Sequence, residues 1–159
     1  MRARRIECKG AEIMKRQAWK RMQAWLLVVA MFVSVVTGIG TTKTAKAATK
    51  MGVTYTVHVQ TYGDQQGWVH DGTMAGTKGQ AKRLEEIRVK LTGDEYSGSI
   101  QYKTHIQSYG WQDWSYNGEK SGSRGQAKRL EGIEIQLTGE VAKHYDVVYR
   151  VHCQTYGWM

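Results

Sequence analysis

A chain of 159 residues with a formal net charge of +9 has room for one modest domain or a few small repeats. The charge is uneven: residues 1–47 hold ten basic side chains against two acidic ones, a balance of +8, which leaves +1 for all that follows. A nearly neutral body without a Lys/Arg stripe offers no electrostatic footprint for a phosphate backbone, so the sequence argues against nucleic acid as a partner.

The first 47 residues have the three parts of a secretory signal. A basic stretch runs to Met22, an apolar run extends from Trp25 to Ile39, and Ala45-Lys46-Ala47 supplies the small residues that signal peptidase requires. The expectation is a helical signal segment over 1–47, cleaved after Ala47, with a mature chain of 112 residues that is secreted or held at the cell surface. The apolar run of 15 residues includes Ser34, Thr37 and Gly38, and it is shorter than the ~20 residues that span a bilayer. An uncleaved N-terminal membrane anchor is the alternative, and membrane contact is expected through this segment only. Cys8 would leave with the leader. Cys153 would then be a lone thiol, buried as a small apolar side chain, with neither a disulfide nor a multi-cysteine zinc cluster.

The body is repetitive. Residues 53–63 recur as 100–110 and again as 147–157, with His58, His105 and His152 spaced by 47 both times. Tyr55, Val57 and Val59 alternate with Thr56, His58 and Gln60, which predicts a strand with one buried face. In the third copy Tyr149, Val151 and Cys153 take the buried side. Trp68-Val69 and Trp114-Ser115 open a further short strand, and Asp71-Gly72 and Asn117-Gly118 after them suit type I′ hairpin turns. The run Gly-Gln-Ala-Lys-Arg-Leu-Glu then appears identically at 79–85 and 125–131. Leu84 and Leu130 fall out of phase with the strands Ile87/Val89/Leu91 and Ile133/Ile135/Leu137, so a turn or bulge is expected near Glu85-Glu86 and Glu131-Gly132.

Each unit is therefore three or four short antiparallel strands in about 46 residues, too few to bury a core alone. The expected fold is all-β: tandem repeats at 53–93 and 100–139, with the start of a third at 147–159, packed as a pseudo-threefold β-prism or β-trefoil. The third copy reaches Met159 after thirteen residues, and it reads as truncated, the product of a fragment or of a prematurely ended reading frame.

Tyr-x-x-His-Val/Ile-Gln, then Gly-Trp-Gln-x-Trp, then Gly-x-x-x-Gly-x-x-Gly-Gln-x-x-Arg-Leu-Glu-x-Ile-x-Ile-x-Leu resembles the ChW repeat, the clostridial hydrophobic repeat with a conserved tryptophan in a Gly-Trp context. The resemblance covers nearly all of 53–139 and the opening of the third copy. It implies an exported protein of Gram-positive type and a role in surface interaction, with polysaccharide or cell-wall binding as the associated activity. Gly-Trp stands at 110–111 and 157–158. The first repeat departs from it, with Asp64 after Gly63 and Trp68 retained.

Candidate ligand-binding residues are Trp111, Trp158, Tyr109, Tyr156, Gln107 and His105: aromatic faces stack on sugar rings, while amide and imidazole groups bond hydroxyls. Trp68 and Trp114 read as core fillers, and with Gly72, Gly118, Leu84 and Leu130 they form the structural set of the repeat. Three histidines, one per unit, could converge on a metal. No carboxylate accompanies them at a first-row spacing, so structural histidines and no metal are the expectation. Arg83 with Glu85, and Arg129 with Glu131, suit ion pairs on one strand face. Neither G-x-S-x-G, HExxH nor a Cys/His pair occurs, and Glu85 and Glu131 recur as repeat features rather than as a cleft pair of acids. The sequence therefore predicts a non-catalytic, cofactor-free binding module for polysaccharide or peptidoglycan. A protein-adhesion module acting on another surface protein is the alternative, and an accessory part of a hydrolase the remote one.

Overall fold

The computed structural model describes residues 11–17 and 47–159. The first complete repeat contributes β2 (Gly52–Val59), β3 (Val69–His70), β4 (Met74–Ala75) and β5 (Leu84–Thr92), following a strand β1 at Ala11–Gln17. The second contributes β6 (Ser99–Ile106), β7 (Gly110–Trp111), β8 (Ser115–Tyr116), β9 (Ser121–Gly122) and β10 (Leu130–Thr138). A four-residue helix α1 (Val141–His144), which strand periodicity did not anticipate, leads into β11 (Tyr145–Cys153) and β12 (Gly157–Trp158). The strands form three four-stranded sheets, so the all-β reading holds.

Each complete repeat rests on one long antiparallel pair, β2 with β5 and β6 with β10. Alternation puts Tyr55, Ile87, Val89, Ile100 and Tyr102 fully inside, where burial of apolar area is the main stabilising term. Both buried phenols are satisfied in the same way: Tyr55 donates to the Thr73 carbonyl and Tyr102 to that of Glu119. The expected bulges are present. His58 faces Glu86 while Val59 faces Leu84, which leaves Glu85 unpaired, and Glu131 is skipped in the same way between Leu130 and Gly132.

The turns differ from expectation. Asp71 Oδ1 accepts the Val53 N–H at 2.8 Å and Asn117 Oδ1 that of Ile100 at 3.3 Å, so each turn is fixed to the first strand of its own repeat. Asn117 and Gly118 both have positive φ (35° and 96°), as type I′ requires, whereas in the first repeat only Gly72 does (76°). Neither turn closes a hairpin. β3 and β8 pair within their own repeats, but β9 crosses to β5 of the first repeat (Glu86↔Gly122, Ile87↔Ser121) and β4 crosses to β1.

The third sheet joins β11 to β12 on one side and to β1 on the other, from Ala11↔Val151 to Gln17↔Tyr145. Ala11 also faces Ala75, so it holds the place that Ile87 holds between Val57 and Ser121. Residues 11–17 are thus a strand where a helical leader was expected: the edge of β11 has unpaired backbone groups that a strand satisfies. Residues 1–10 and 18–46, including Cys8 and the apolar run of the expected signal, lie outside the described residues. Ala47 to Lys50 are exposed and irregular.

Two further expectations are corrected. Cys153 is buried as foreseen, but it is disulfide-bonded rather than a lone thiol, to a partner outside the described residues. Trp68 and Trp114 are not core fillers: Trp68 is 41% exposed, Trp114 is half-buried, and no tryptophan among the described residues belongs to the buried cluster. Tyr55, Tyr102 and the branched aliphatics already fill the space between sheets, and the indoles lie outside it.

The inter-repeat joint depends on Gly122. A Cβ there would stand 2.3 Å from the Glu85 carbonyl oxygen, at a φ of +145°. Gly122→Ala is expected to lower stability by about 3 kcal/mol, from overpacking against backbone together with an unfavourable φ. Gly125→Ala, with φ +75° and nothing within 4 Å of the added methyl, should cost about 1 kcal/mol. Urea unfolding of both variants measures the difference, and equal midpoints would contradict a close-packed joint.

Candidate ligand-binding surface

The first strand of every repeat runs into the same turn. Thr61, Ser108 and Thr155 have φ of 74°, 68° and 81°, a left-handed conformation that costs a non-glycine residue about 1–2 kcal/mol. The turns close through Tyr62 N–H to the Val59 carbonyl (3.1 Å) and Tyr109 N–H to that of Ile106 (3.0 Å). Their effect is to direct a tyrosine outward: Tyr62, Tyr109 and Tyr156 are 37%, 54% and 79% exposed.

A second loop lies against this turn in both complete repeats, joined by Gln60 N–H to the Arg83 carbonyl and Gln107 N–H to that of Arg129, each at 3.0 Å. Ala81 and Ala127 are also left-handed, with φ of 49° and 53°, and each precedes a half-buried lysine. Lys82 Nζ is 3.2 Å from Thr61 Oγ1 and 5.7 Å from the Tyr62 ring centre. Lys128 Nζ is 3.4 Å from Ser108 Oγ and 5.8 Å from the Tyr109 ring centre. Among the described residues neither lysine is within ion-pair distance of a carboxylate. Beside Tyr62 an open groove of about 440 Å³ is lined by Gln65, Gln66, Met74, Lys78 and Gln80.

Beneath the turns is a layer of internal pairs. Glu85 is buried and meets Arg83 Nε at 2.7 Å, and Arg129 meets Glu131 at 2.6 Å, as the sequence predicts. Carboxylates do accompany two of the three repeat histidines: His58 Nδ1 is 2.9 Å from Asp64 and His105 Nδ1 is 3.4 Å from Glu131. Among the described residues no group of three His, Cys, Asp or Glu side chains could hold a metal ion. Arg124 of the second repeat reaches Asp64 of the first at 2.8 Å. Slight burial pushes the Asp64 carboxyl up, but the His58 hydrogen bond and the Arg124 guanidinium outweigh it and hold the group below the usual carboxylate range.

The tryptophans take part in the same layer. Trp111 is edge-on to His105 at 5.4 Å, and Trp158 to His152 at 5.2 Å. Lys103 Nζ lies 5.2 Å from the Trp111 ring and 4.9 Å from that of Trp114 while it pairs with Glu134 at 3.1 Å. Arg150 lies 4.7 Å from the Trp158 ring, Lys78 of the first repeat 5.8 Å from it, and Lys90 4.3 Å from the Trp68 ring. Of the candidates named from sequence, Tyr109 and Tyr156 face solvent, whereas Trp111, Trp158, His105 and Gln107 are half-buried. Lys82, Lys128, Thr61 and Ser108 were missed. The identical 79–85 and 125–131 runs carried the lysines in plain view, but nothing in the sequence placed those runs beside the tyrosine turns.

A carboxyl held low in the folded state stabilises the fold above its unfolded pKa, near 3.8, and that contribution is lost as the pH falls through the folded value. Asp64→Asn should therefore reduce the loss of stability between about pH 6 and pH 3. Urea midpoints at the two pH values test this, and an unchanged pH dependence would contradict the Asp64 clamp.

No curated protein and no solved structure matches the chain. The family model described as Clostridial hydrophobic W matches residues 58–93 and 105–139, and each match spans the tyrosine turn, the lysine loop and the bulge. The chain carries two ChW repeats.

Proposed function

We propose that the chain is an exported, non-catalytic binding module that holds a cell-wall or other extracellular polysaccharide on its tyrosine-bearing turns. The supporting observation is a left-handed non-glycine turn that presents Tyr62, Tyr109 and Tyr156 at equivalent positions of three repeats. Strain kept at a surface loop needs a surrounding structure that over-determines it, and such strain clusters at ligand sites. A tyrosine ring gives a sugar an apolar face to stack on, and its hydroxyl is a hydrogen-bonding group. Gln65, Gln66 and Gln80 add amides in the groove beside Tyr62.

Repeated sites suit a repeating polymer, because a second contact on the same chain is intramolecular and raises avidity without new chemistry. The pseudo-threefold prism reading belongs to this proposal: one sheet per repeat, with a short strand exchanged between neighbours, brings one turn from each repeat into the assembly. So does export, through an uncleaved anchor that keeps β1 in the third sheet, or through cleavage after Ala47, which would remove that strand. The two recurring glutamates are committed to Arg83 and Arg129, which favours a structural role for them over acid–base catalysis.

Co-sedimentation with insoluble peptidoglycan and with cellulose tests the proposal. Tyr62→Ala and Tyr109→Ala are each expected to weaken binding about fivefold, the scale of one aromatic contact. Trp111→Ala should lower stability more than affinity. Failure to sediment with either material, together with a saturable protein partner, would replace this reading with the adhesion module.

A further inference from the structure

We infer that the polymer is anionic, and that Lys82 and Lys128 each receive a carboxylate or phosphate oxygen of a sugar whose ring lies on the neighbouring tyrosine. The inference rests on the polysaccharide reading above and adds the charge of the ligand to it. Of the other cations of the two repeats, Arg83, Arg88, Arg124, Arg129 and Lys103 each meet a carboxylate, Lys78 and Lys90 lie against an indole ring, and Lys120 is exposed. Among the described residues Lys82 and Lys128 have neither a carboxylate within ion-pair distance nor full exposure: both are half-buried and held to a hydroxyl, Thr61 or Ser108, beside a ring.

An ammonium has three donors. One is directed to the hydroxyl, which leaves two for a ligand. The preceding alanines, Ala81 and Ala127, keep a left-handed backbone at the same place in both repeats, a position where glycine would be free of strain. A pre-positioned cation without an internal counter-charge is an anion subsite, and two equivalent copies match a ligand that carries its anion at regular intervals. The body as a whole is almost neutral, so the attraction is local to these loops and not a property of net charge.

The test uses the full chain and four insoluble or immobilised polymers: bacterial wall with its phosphate polymers attached, the same wall after their removal with hydrofluoric acid, polygalacturonate and cellulose. Binding to at least one anionic polymer is expected to exceed binding to cellulose about tenfold, and to weaken as salt rises from about 0.05 to 0.5 M. Loss of binding on the stripped wall identifies phosphate as the source of the anion, and binding to polygalacturonate identifies carboxylate. Either supports the inference. The double variant Lys82→Ala/Lys128→Ala should lose that preference while keeping its residual binding to cellulose, and Lys82→Arg/Lys128→Arg should retain it. Thermal midpoints of both variants report whether the fold survives. Equal binding to neutral and anionic polymers, or an alanine double variant that binds as the parent does, would overturn the inference and leave the polysaccharide reading standing. Absence of binding to all four would overturn both.

Discussion

Glu85 leaves the ladder between β2 and β5 at a bulge, and the way the two complete repeats meet depends on where its polar atoms then go. Its carbonyl accepts the Ser123 N–H at 2.6 Å, and its carboxylate takes the Gly125 N–H at 3.2 Å as well as the guanidinium of Arg83. A buried carboxylate without such partners would cost several kcal/mol, so the crossing of residues 121–125 and the burial of Glu85 require each other. Gly122 is where that crossing is tightest. Glu131 occupies the equivalent bulge in the second repeat and keeps its arginine, but it is only half-buried.

The same bulge sets the geometry of the surface site. Because Glu85 and Glu131 are skipped, the residues before them change phase and leave the sheet, and the Arg83 and Arg129 carbonyls turn back to take the Gln60 and Gln107 N–H groups. This brings a lysine loop against a tyrosine turn in each repeat. The lysine and tyrosine are 20 residues apart in the first repeat and 19 in the second, and hydrogen bonding of the backbone, not their own affinity, joins them. A cation near an exposed ring is worth about 0.5–1 kcal/mol, less than the strain of the two left-handed residues that hold it there.

Much of the fold was legible in the sequence because a period of two with one buried face leaves few alternatives. The long strands, the phase slip at Leu84 and Leu130 and the Arg–Glu pairs all follow from local patterning. The destination of the turns did not. Asp71-Gly72 and Asn117-Gly118 look like hairpin turns because dipeptide chemistry specifies a change of direction, whereas the pairing of β4 and β9 with other sheets is a non-local outcome. The tryptophans misled for a related reason. In a protein with one phenylalanine the large aromatics are the natural core, but the branched aliphatics and three tyrosines fill it, and each indole among the described residues instead has a cation nearby. The site was half legible: the tyrosines by repetition, the lysines not at all, since only the folded backbone brings them alongside.

The departure of the first repeat from the Gly-Trp pattern is accounted for by a contact between repeats. Lys78 and Arg124 occupy equivalent positions, one residue before Gly79 and Gly125, and each reaches out of its own repeat to the residue that follows a turn glycine. Lys78 approaches the Trp158 ring at 5.8 Å, and Arg124 meets the Asp64 carboxylate at 2.8 Å. An indole face and a carboxylate are both acceptors for a cation, the first through its quadrupole and the second through its charge. Asp64 therefore takes the place that Trp158 has in the third repeat, as the receptor for a cation from another repeat, whereas Trp111 lies beside Lys103 of its own repeat. The tyrosine one residue before the glycine is the aromatic that all three repeats expose at an equivalent position.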